Sequence, residues 1–363
     1  MKTLKLLYLA LLLLNCISIS SKASDAPDPY NAYRWQEGDN GNWFEWWYYK
    51  VVDPTSNQSF FFSYGIVNPG DTEKSKTGTK SAIQAGSYSQ KVTAEKDFSI
   101  DDFQASRDHT EVHLGNNSAT DKNITGSILD PQGQPFSWNL DLKRNWAFNA
   151  MGIGMYIPEI SDIYWYPAQA SATMSGTVHF QGKDYVLKDA PAYQDRNWGR
   201  GFPEWWTWLV SNNFKNSPGT TLAAGGGHPK VLSVANFFTG LCLGLQYQGH
   251  DYVFRTTDGD NVKFDIQWGK WEVSATNWHG EKIEISAFAP KEKFMLLPFT
   301  TPQGEKFYDY ETLTGSMVVR LYKQEAGEWK LLNTLETDEA GIEWGSPHPV
   351  AFDGLFQMRT ILQ

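Results

Sequence analysis

Apolar and polar positions alternate along most of the chain, and the alternating segments are short. Aromatic and β-branched residues fill the runs at 47–52, 59–64, 176–180 and 315–322, and turn-forming residues, such as those at 130–133, separate such runs. A period of two between turns is typical of β-strands, whereas apolar residues at helical spacing are scarce. The pattern predicts an all-β protein, built as a sandwich or a barrel.

A short sequence occurs twice. Residues 45–49 are Glu-Trp-Trp-Tyr-Tyr, and residues 204–208, 159 positions later, are Glu-Trp-Trp-Thr-Trp. This spacing is about the length of one lipocalin-sized barrel. We therefore expect two β halves, residues 24–190 and residues 191–363. The alternative is a chance similarity in a Trp-rich chain.

The first 23 residues have the features of a targeting signal. Lys2 and Lys5 precede a Leu-rich run at 6–14, and small and polar residues follow. This order is that of a secretory signal peptide, and the run is shorter than the ~20 apolar residues that a spanning helix needs. Residues 1–23 are predicted to be removed, which makes the mature chain secreted or periplasmic. The alternatives are a buried N-terminal helix and lipidation at Cys16.

Charge and cysteine content exclude several classes of protein. With 41 acidic and 31 basic residues, the chain lacks the basic surface of generic nucleic-acid binding. Two cysteines cannot form a disulfide scaffold, and no later segment is long and apolar enough to span a membrane. His109 and His113 share a strand face without a third ligand nearby, and no nucleotide-binding loop is present, so neither a metal nor a cofactor is expected.

Aromatic residues make up 15% of the chain, and two tryptophan clusters accompany carboxylates. Because side chains alternate between the faces of a strand, each cluster puts one glutamate and two rings on one face. The two sets are Glu45 with Trp47 and Tyr49, and Glu204 with Trp206 and Trp208. If such a face points into a barrel, burial raises the pKa of the carboxyl and makes it a general acid. The alternative is a glutamate that pairs with a basic residue such as Arg200.

Asp195 is the third candidate for catalysis. It lies in a segment rich in Trp and next to Arg196. One interpretation is a salt-bridged loop with Arg196 and Arg200. The other is a proton donor, with the rings of Trp198, Trp206 and Trp208 facing a developing carbocation.

Three segments, in order along the chain, resemble the motifs of the tocopherol cyclase family. Residues 197–203, Asn-Trp-Gly-Arg-Gly-Phe-Pro, and the Trp-x-Trp that follows are similar to the central signature of the family. Residues 44–50 resemble its opening motif, in which an aromatic residue and Glu precede Trp, Tyr and a basic residue. Residues 340–345 resemble its C-terminal segment. Residues 195–199 are also similar to the related carotenoid hydratase and lipocalin-like proteins.

The resemblance implies a two-part lipocalin-like β fold and a ring closure without a cofactor. In that reaction a proton adds to a prenyl double bond, and a phenol oxygen captures the resulting cation. The resemblance also implies site roles for matching positions, Glu45 and Glu343 among them. Together with the strand faces, it makes the following residues candidates for substrate binding: Trp47, Tyr49, Asn197, Trp198, Trp206, Trp208 and Glu343.

These observations lead to one main hypothesis and two alternatives. The main hypothesis is an exported, tocopherol-cyclase-like enzyme that cyclises a prenylated phenol, a quinol or a similar isoprenoid by acid catalysis. The first alternative is a non-catalytic carrier, since a barrel lined by rings binds a small hydrophobic ligand without an acid. The second alternative is carbohydrate binding or hydrolysis, which would require exposed rows of tryptophan.

Overall fold

The computed structural model describes residues 28–53, 55–230 and 239–350. Within these ranges the chain forms 21 β-strands and no α-helix, which confirms the predicted all-β class. The helical segments of this part are short 3₁₀ turns: Pro29–Asn31, Ile100–Asp102, Gly152–Tyr156, Thr256–Asp258 and Lys291–Lys293. None of the helices found there is long and apolar enough to cross a membrane. The predicted signal peptide, residues 1–23 with Cys16, lies outside the described residues.

Eleven strands form the first sheet, in the order β4-β3-β2-β1-β11-β10-β9-β8-β7-β6-β5. Neighbouring strands in this order are antiparallel. The strands are β1 (Phe44–Asp53), β2 (Gln58–Val67), β3 (Lys80–Ser87), β4 (Val92–Phe98), β5 (Phe103–Ala105), β6 (Glu111–Leu114), β7 (Asn117–Thr120), β8 (Asn123–Leu129), β9 (Pro135–Trp146), β10 (Ile163–Phe180) and β11 (Lys183–Gly199).

Ten strands form the second sheet, in the order β15-β14-β13-β12-β21-β20-β18-β17-β16, with β19 paired to β20. The strands are β12 (Trp206–Ser211), β13 (Thr221–Gly227), β14 (Gly240–Tyr247), β15 (His250–Arg255), β16 (Asn261–Gln267), β17 (Lys270–Thr276), β18 (Glu281–Phe288), β19 (Met295–Thr300), β20 (Lys306–Glu325) and β21 (Glu328–Ser346).

Both sheets follow the same plan. Each begins with four strands that pair in sequence, and each ends with a long hairpin whose last strand returns to pair with the first. The hairpins are β10–β11 and β20–β21. Each sheet curls into a nearly closed, barrel-like form around its own apolar core. The prediction of two lipocalin-like β halves is therefore confirmed.

The repeated sequence aligns residues that lie on different faces of their strands in the two halves. Tyr48 of β1 lies opposite Asp195 of β11, and Trp208 of β12 lies opposite Glu343 of β21. Trp208 packs in the apolar layer between the two sheets, as Tyr48 does, whereas Tyr49, with which the repeated sequence aligns Trp208, packs in the core of the first sheet. Because successive side chains of a strand point to opposite faces, this difference exchanges the two faces.

The chain passes from the first sheet to the second between Gly199 and Trp206. Residues 191–199, which the sequence assigned to the C-terminal half, continue β11, and 192–199 pair with β1. The repeated motif marks where β12 begins, but nothing in the sequence marks the end of the long strand before it.

A third apolar layer lies between the two sheets. It contains Phe61 and Tyr193 from the first sheet and Trp208, Val210 and Leu297 from the second. Alternation along each first strand divides its side chains between a sheet core and this layer. The candidate site lies here, where both sheets contribute residues.

Candidate active site

A cavity of about 340 Å³ lies between the two sheets. Both sheets supply its walls, and a cavity of this size accommodates a small organic ligand. Its aromatic lining consists of Trp46, Tyr48, Phe61, Tyr164, Trp165, Trp206, Trp208 and Phe299. The cavity is therefore largely apolar, and its few polar groups are the ones that can carry chemistry.

Two glycines make room for tryptophan rings in this wall. Gly341 and Gly345 lie on either side of Glu343, on the same face of β21. A Cβ atom at Gly341 would lie 2.4 Å from the Trp208 ring, and one at Gly345 would lie 2.3 Å from Trp206 Nε1. The glycines of the C-terminal motif therefore allow both rings to pack beside Glu343.

Asp195 reaches the cavity from the first sheet. Its buried carboxyl accepts hydrogen bonds on Oδ2 from Trp165 Nε1 and from the Tyr193 hydroxyl, both at 2.8 Å. Asn197 Nδ2 donates to Oδ1 at 3.4 Å. Burial raises the pKa of Asp195 to about 7, although the two donors at Oδ2 act in the opposite direction. Near neutral pH this group can therefore either accept or donate a proton.

Asp309 and Glu343 form a pair of carboxyls on the second sheet. Their side chains are hydrogen-bonded to each other, and Trp206 Nε1 donates to Asp309 Oδ1 at 3.1 Å. Burial raises the pKa of both groups, and the negative charge of Asp309 raises that of Glu343 further. Two carboxyls in such contact hold one proton between them at neutral pH.

Glu311 is the third acidic residue that the second sheet contributes to the lining of the cavity. The Tyr48 hydroxyl donates to its Oε1 at 2.6 Å, and the Tyr88 hydroxyl, 3.0 Å from that of Tyr48, is also bonded to the carboxyl. Burial, and after it the charge of Asp309, raises the pKa of Glu311 to about 8. At neutral pH the carboxyl is protonated, with the acidity that suits a general acid.

This cavity is lined by five of the residues that were identified as candidates from the sequence. They are Asp195, Asn197, Trp206, Trp208 and Glu343. Pairs two residues apart, on β11 and on β12, face it together because side chains alternate along a strand. The structure thus brings the central motif and the C-terminal motif to one place.

Glu45 does not reach the cavity. It shares a face of β1 with Trp47 and Tyr49, as the alternation predicts, but that face points into the core of the first sheet. Its carboxylate accepts a hydrogen bond from the Arg34 backbone N–H at 3.1 Å and lies 3.4 Å from Arg196 Nη1. Burial raises the pKa of Glu45, while the charge of Arg196 opposes this change. The group is one half of a buried ion pair, with no access to a ligand in the cavity.

Trp198 supports this ion pair from the same core side of β11. Its ring stacks on that of Tyr164, with 5.1 Å between the ring centroids. The guanidinium carbon of Arg196 lies 3.8 Å from the centroid of the Trp198 ring. Trp198 thus contacts Arg196 and not the cavity.

Glu204 lies on the surface, two residues before β12 begins. Its side chain is 52% exposed, and its carboxylate is 3.7 Å from His228 Nε2. Because Glu204 precedes β12, the alternation of side chains along that strand does not apply to it. Its side chain therefore does not share a face with Trp206 and Trp208. Arg200, considered above as a partner, forms ion pairs with Asp39 at 2.9 Å and with Glu159 at 2.8 Å.

Sequence reasoning missed Asp309, Glu311 and Tyr48. A signal for the acids was present, because residues 308–312 are Tyr-Asp-Tyr-Glu-Thr. In a strand this order puts both acids on one face and aromatic rings on the other. Tyr48 is part of the opening motif, but alternation along β1 puts it on the face opposite to Glu45, Trp47 and Tyr49, the residues that drew attention in the sequence.

The tryptophan clusters do not form an exposed platform of the kind that carbohydrate recognition requires. Trp47, Trp198, Trp205, Trp206 and Trp208 are all buried. Within the described ranges, no group of three or more His, Cys, Asp or Glu residues is placed to hold a metal ion.

The similarity of this chain to known proteins includes residues of both sheets. The family model for tocopherol cyclase-like proteins matches residues 41–140 and 144–346. A "Tocopherol cyclase, chloroplastic" from Zea mays is 24% identical over 378 residues, covering 87% of this chain and 77% of the relative. A "Probable tocopherol cyclase, chloroplastic" from Oryza sativa subsp. japonica is 23% identical over 376 residues, covering 87% of this chain and 78% of the relative.

Solved structures are similar in fold at low sequence identity. Kievitone hydratase from Nectria haematococca has a TM-score of 0.52 and 10% identity, covering 83% of this chain and 88% of that chain. CghA has a TM-score of 0.52 and 11% identity, covering 91% of this chain and 95% of that chain. At these identities the likeness concerns the two-part β architecture alone.

Proposed function

Since the chain belongs to the tocopherol cyclase-like family, we propose that this cyclase-type enzyme closes a ring on a prenylated phenol, a quinol or a similar isoprenoid by acid catalysis. One observation supports the reaction: four carboxyls with raised pKa values meet on an aromatic cavity of about 340 Å³. Burial keeps protonated carboxyls available at neutral pH, and ring faces attract a cation.

The proposed proton donor is Glu311. Its carboxyl lines the cavity and is protonated at neutral pH. The proton adds to one carbon of the prenyl double bond, whose electron pair forms the new C–H bond and leaves a cation on the other carbon. The carboxylate that remains keeps its hydrogen bonds from the hydroxyls of Tyr48 and Tyr88, which stabilise the new charge.

The proposed proton acceptor is Asp195, which faces the cavity from the other sheet. The phenol oxygen attacks the cation and forms the C–O bond, and its proton passes to the Asp195 carboxylate. Hydrogen bonds from Trp165 and Tyr193 hold that carboxylate in place. The substrate loses an O–H bond and gains a C–H bond, so the product is an isomer and no electrons are exchanged.

Three rings that pack against one another form the part of the lining proposed to stabilise the cation. The ring centroids of Trp46 and Phe299 are 5.6 Å apart, and that of Trp206 lies 6.2 Å and 6.1 Å from them. All three rings line the cavity. The Asp309–Glu343 pair, bonded to Trp206, adds one negative charge beside them. Ring faces and a nearby anion both stabilise a carbocation when water is excluded.

The ratio kcat/KM is expected to follow a bell-shaped dependence on pH, with its maximum between about 7 and 8. Asp195 accepts a proton only when ionised, so the ratio rises as the pH rises through its pKa of about 7. Glu311 donates only when protonated, so the ratio falls as the pH rises through its pKa of about 8. A pH series with a prenylated quinol measures both limbs. A ratio that does not change across this range would contradict both roles.

The enzyme is also proposed to act outside the cytoplasm. Support comes from the sequence of residues 1–23, with its basic start, apolar run and small-residue exit. N-terminal sequencing of the chain recovered from the periplasm or medium is expected to find a start close to Ser24. An uncleaved chain that stays in the cytoplasm would contradict export.

A further inference from the structure

Lys50 is a buried cation next to the cavity wall. Its side chain is 2% exposed, and among the described residues its ammonium has neither an ion pair nor a hydrogen bond. The ammonium nitrogen lies 5.9 Å from the ring centroids of Tyr193 and Trp208. Burying a charge without a close counter-ion is costly. A charge held in this position acts strongly on any opposite charge that forms nearby in the wall of the cavity.

The position of Lys50 relates it to Glu311. Lys50 lies two residues after Tyr48 on the same face of β1, and the Tyr48 hydroxyl is bonded to Glu311. The titratable groups that face Lys50 are Tyr193 of β11, Glu311 of β20 and Glu339 of β21. Of the two acids, Glu311 is the one that lines the cavity.

We propose that Lys50 is a positioning residue that stabilises the Glu311 carboxylate formed when Glu311 gives its proton to the substrate. The inference rests on the proposed function. While Glu311 is neutral, the ammonium interacts with it only weakly. Once the proton leaves, two opposite charges attract each other through the low-dielectric wall, where attraction is stronger than in water. Lys50 would therefore lower the energy of the transition state more than that of the bound substrate.

The protonation state of Lys50 fits this role. Burial lowers the pKa of Lys50 to about 8, so the ammonium is present at the pH at which turnover is expected. In return, the charge of Lys50 lowers the pKa of Glu311, against the larger effect of burial. Without Lys50, Glu311 would hold its proton more tightly and would be a weaker acid.

The substitution Lys50→Met removes the charge at similar volume. We expect the titration midpoint of Glu311 to move up by about one pH unit or more, and the falling limb of kcat/KM to move with it. The titration is read from the infrared C=O stretch of the protonated carboxyl, assigned by its loss in Glu311→Gln. Lys50→Arg keeps the charge and is expected to retain the wild-type midpoint. If Lys50→Met does not fold, Lys50→Gln replaces it.

The matched control is Lys282→Met. Lys282 also lies over a ring, 4.8 Å from the centroid of Tyr322, but it is ion-paired with Glu284 at 2.6 Å, away from the cavity. This variant is expected to leave the midpoint of Glu311 unchanged. An unchanged midpoint in Lys50→Met would overturn the inference. If the wild-type protein does not convert a prenylated quinol, the proposed function fails, whereas the infrared titration still decides the role of Lys50.

Discussion

Replacing Glu311 with glutamine is expected to lower kcat by about 10²–10⁴-fold, the usual contribution of a general acid. The amide keeps the shape of the side chain and can still accept the hydrogen bond from Tyr48. It has no proton of suitable acidity to give to a double bond. The loss should therefore appear in kcat, while substrate binding and the β-sheet circular dichroism spectrum stay close to those of the wild-type protein.

Glu204→Gln is the matched control for this variant. It makes the same chemical change at a carboxylate that is 52% exposed and outside the cavity. Its kcat is expected to equal that of the wild-type protein. A Glu311→Gln variant that keeps most of its turnover would exclude Glu311 as the donor. Loss of turnover in Glu204→Gln would instead favour Glu204 as the general acid, as the repeated sequence suggested.

Arg196→Met is expected to lower the free energy of unfolding by about 3–5 kcal/mol, since it leaves a buried carboxylate without its cation. Arg196 and Glu45 are both fully buried, with 3.4 Å between Nη1 and Oε1. Arg196 Nη1 also donates a hydrogen bond to the carbonyl oxygen of Ala32, which holds the segment before β1 in place. Urea unfolding measures the change.

The double variant Arg196→Met/Glu45→Gln is expected to recover much of this stability, because the unpaired charge is gone. The deficit of Arg196→Met should also grow as the pH rises above about 4.5. In this variant Glu45 is protonated more readily in the folded state than in the unfolded one, so rising pH favours unfolding. A single variant as stable as the wild-type protein, or equal losses in the single and double variants, would contradict the role of this ion pair.

The sequence predicted the architecture because alternation and turns are local properties. Strand periodicity and turn residues at regular intervals were enough to indicate an all-β chain, and the repeated motif indicated two halves. The ends of the long strands were not predictable in this way. β11 continues to Gly199 because β1 lies beside it to receive its hydrogen bonds, and that pairing depends on residues about 150 positions apart.

The site was only partly predictable, because the sequence does not show which face of a strand lines a cavity and which packs into a core. Alternation correctly grouped Glu45 with Trp47 and Tyr49, but it could not say whether that face meets a closed core or a cavity. The repeated sequence aligns Trp208 with Tyr49, which lies on the core face of β1, and nothing in the sequence shows that Trp208 instead faces the cavity. The resemblance to the family pointed to Asn197 and Glu343 by position alone, without any knowledge of faces, and both residues line the cavity.

Glu311 was missed because its environment is created by residues that are far apart in the sequence. In the sequence it is one of three acidic residues in the 20-residue strand β20. In the structure it is 3% exposed, bonded to Tyr48 of the other sheet, and close to Asp309. Its raised pKa is a property of the assembled layer between the sheets. No segment of the chain carries this property alone.

Ring closure in D₂O tests the central claim most directly. A carboxyl in the cavity exchanges its proton with solvent, so the donor transfers deuterium to the prenyl double bond. The product of the wild-type protein is therefore expected to carry one deuterium on carbon, at the position next to the new C–O bond, and mass spectrometry would find it one mass unit heavier. A cyclised product without deuterium on carbon, or an isoprenoid recovered unchanged from the cavity, would contradict proton transfer by this enzyme.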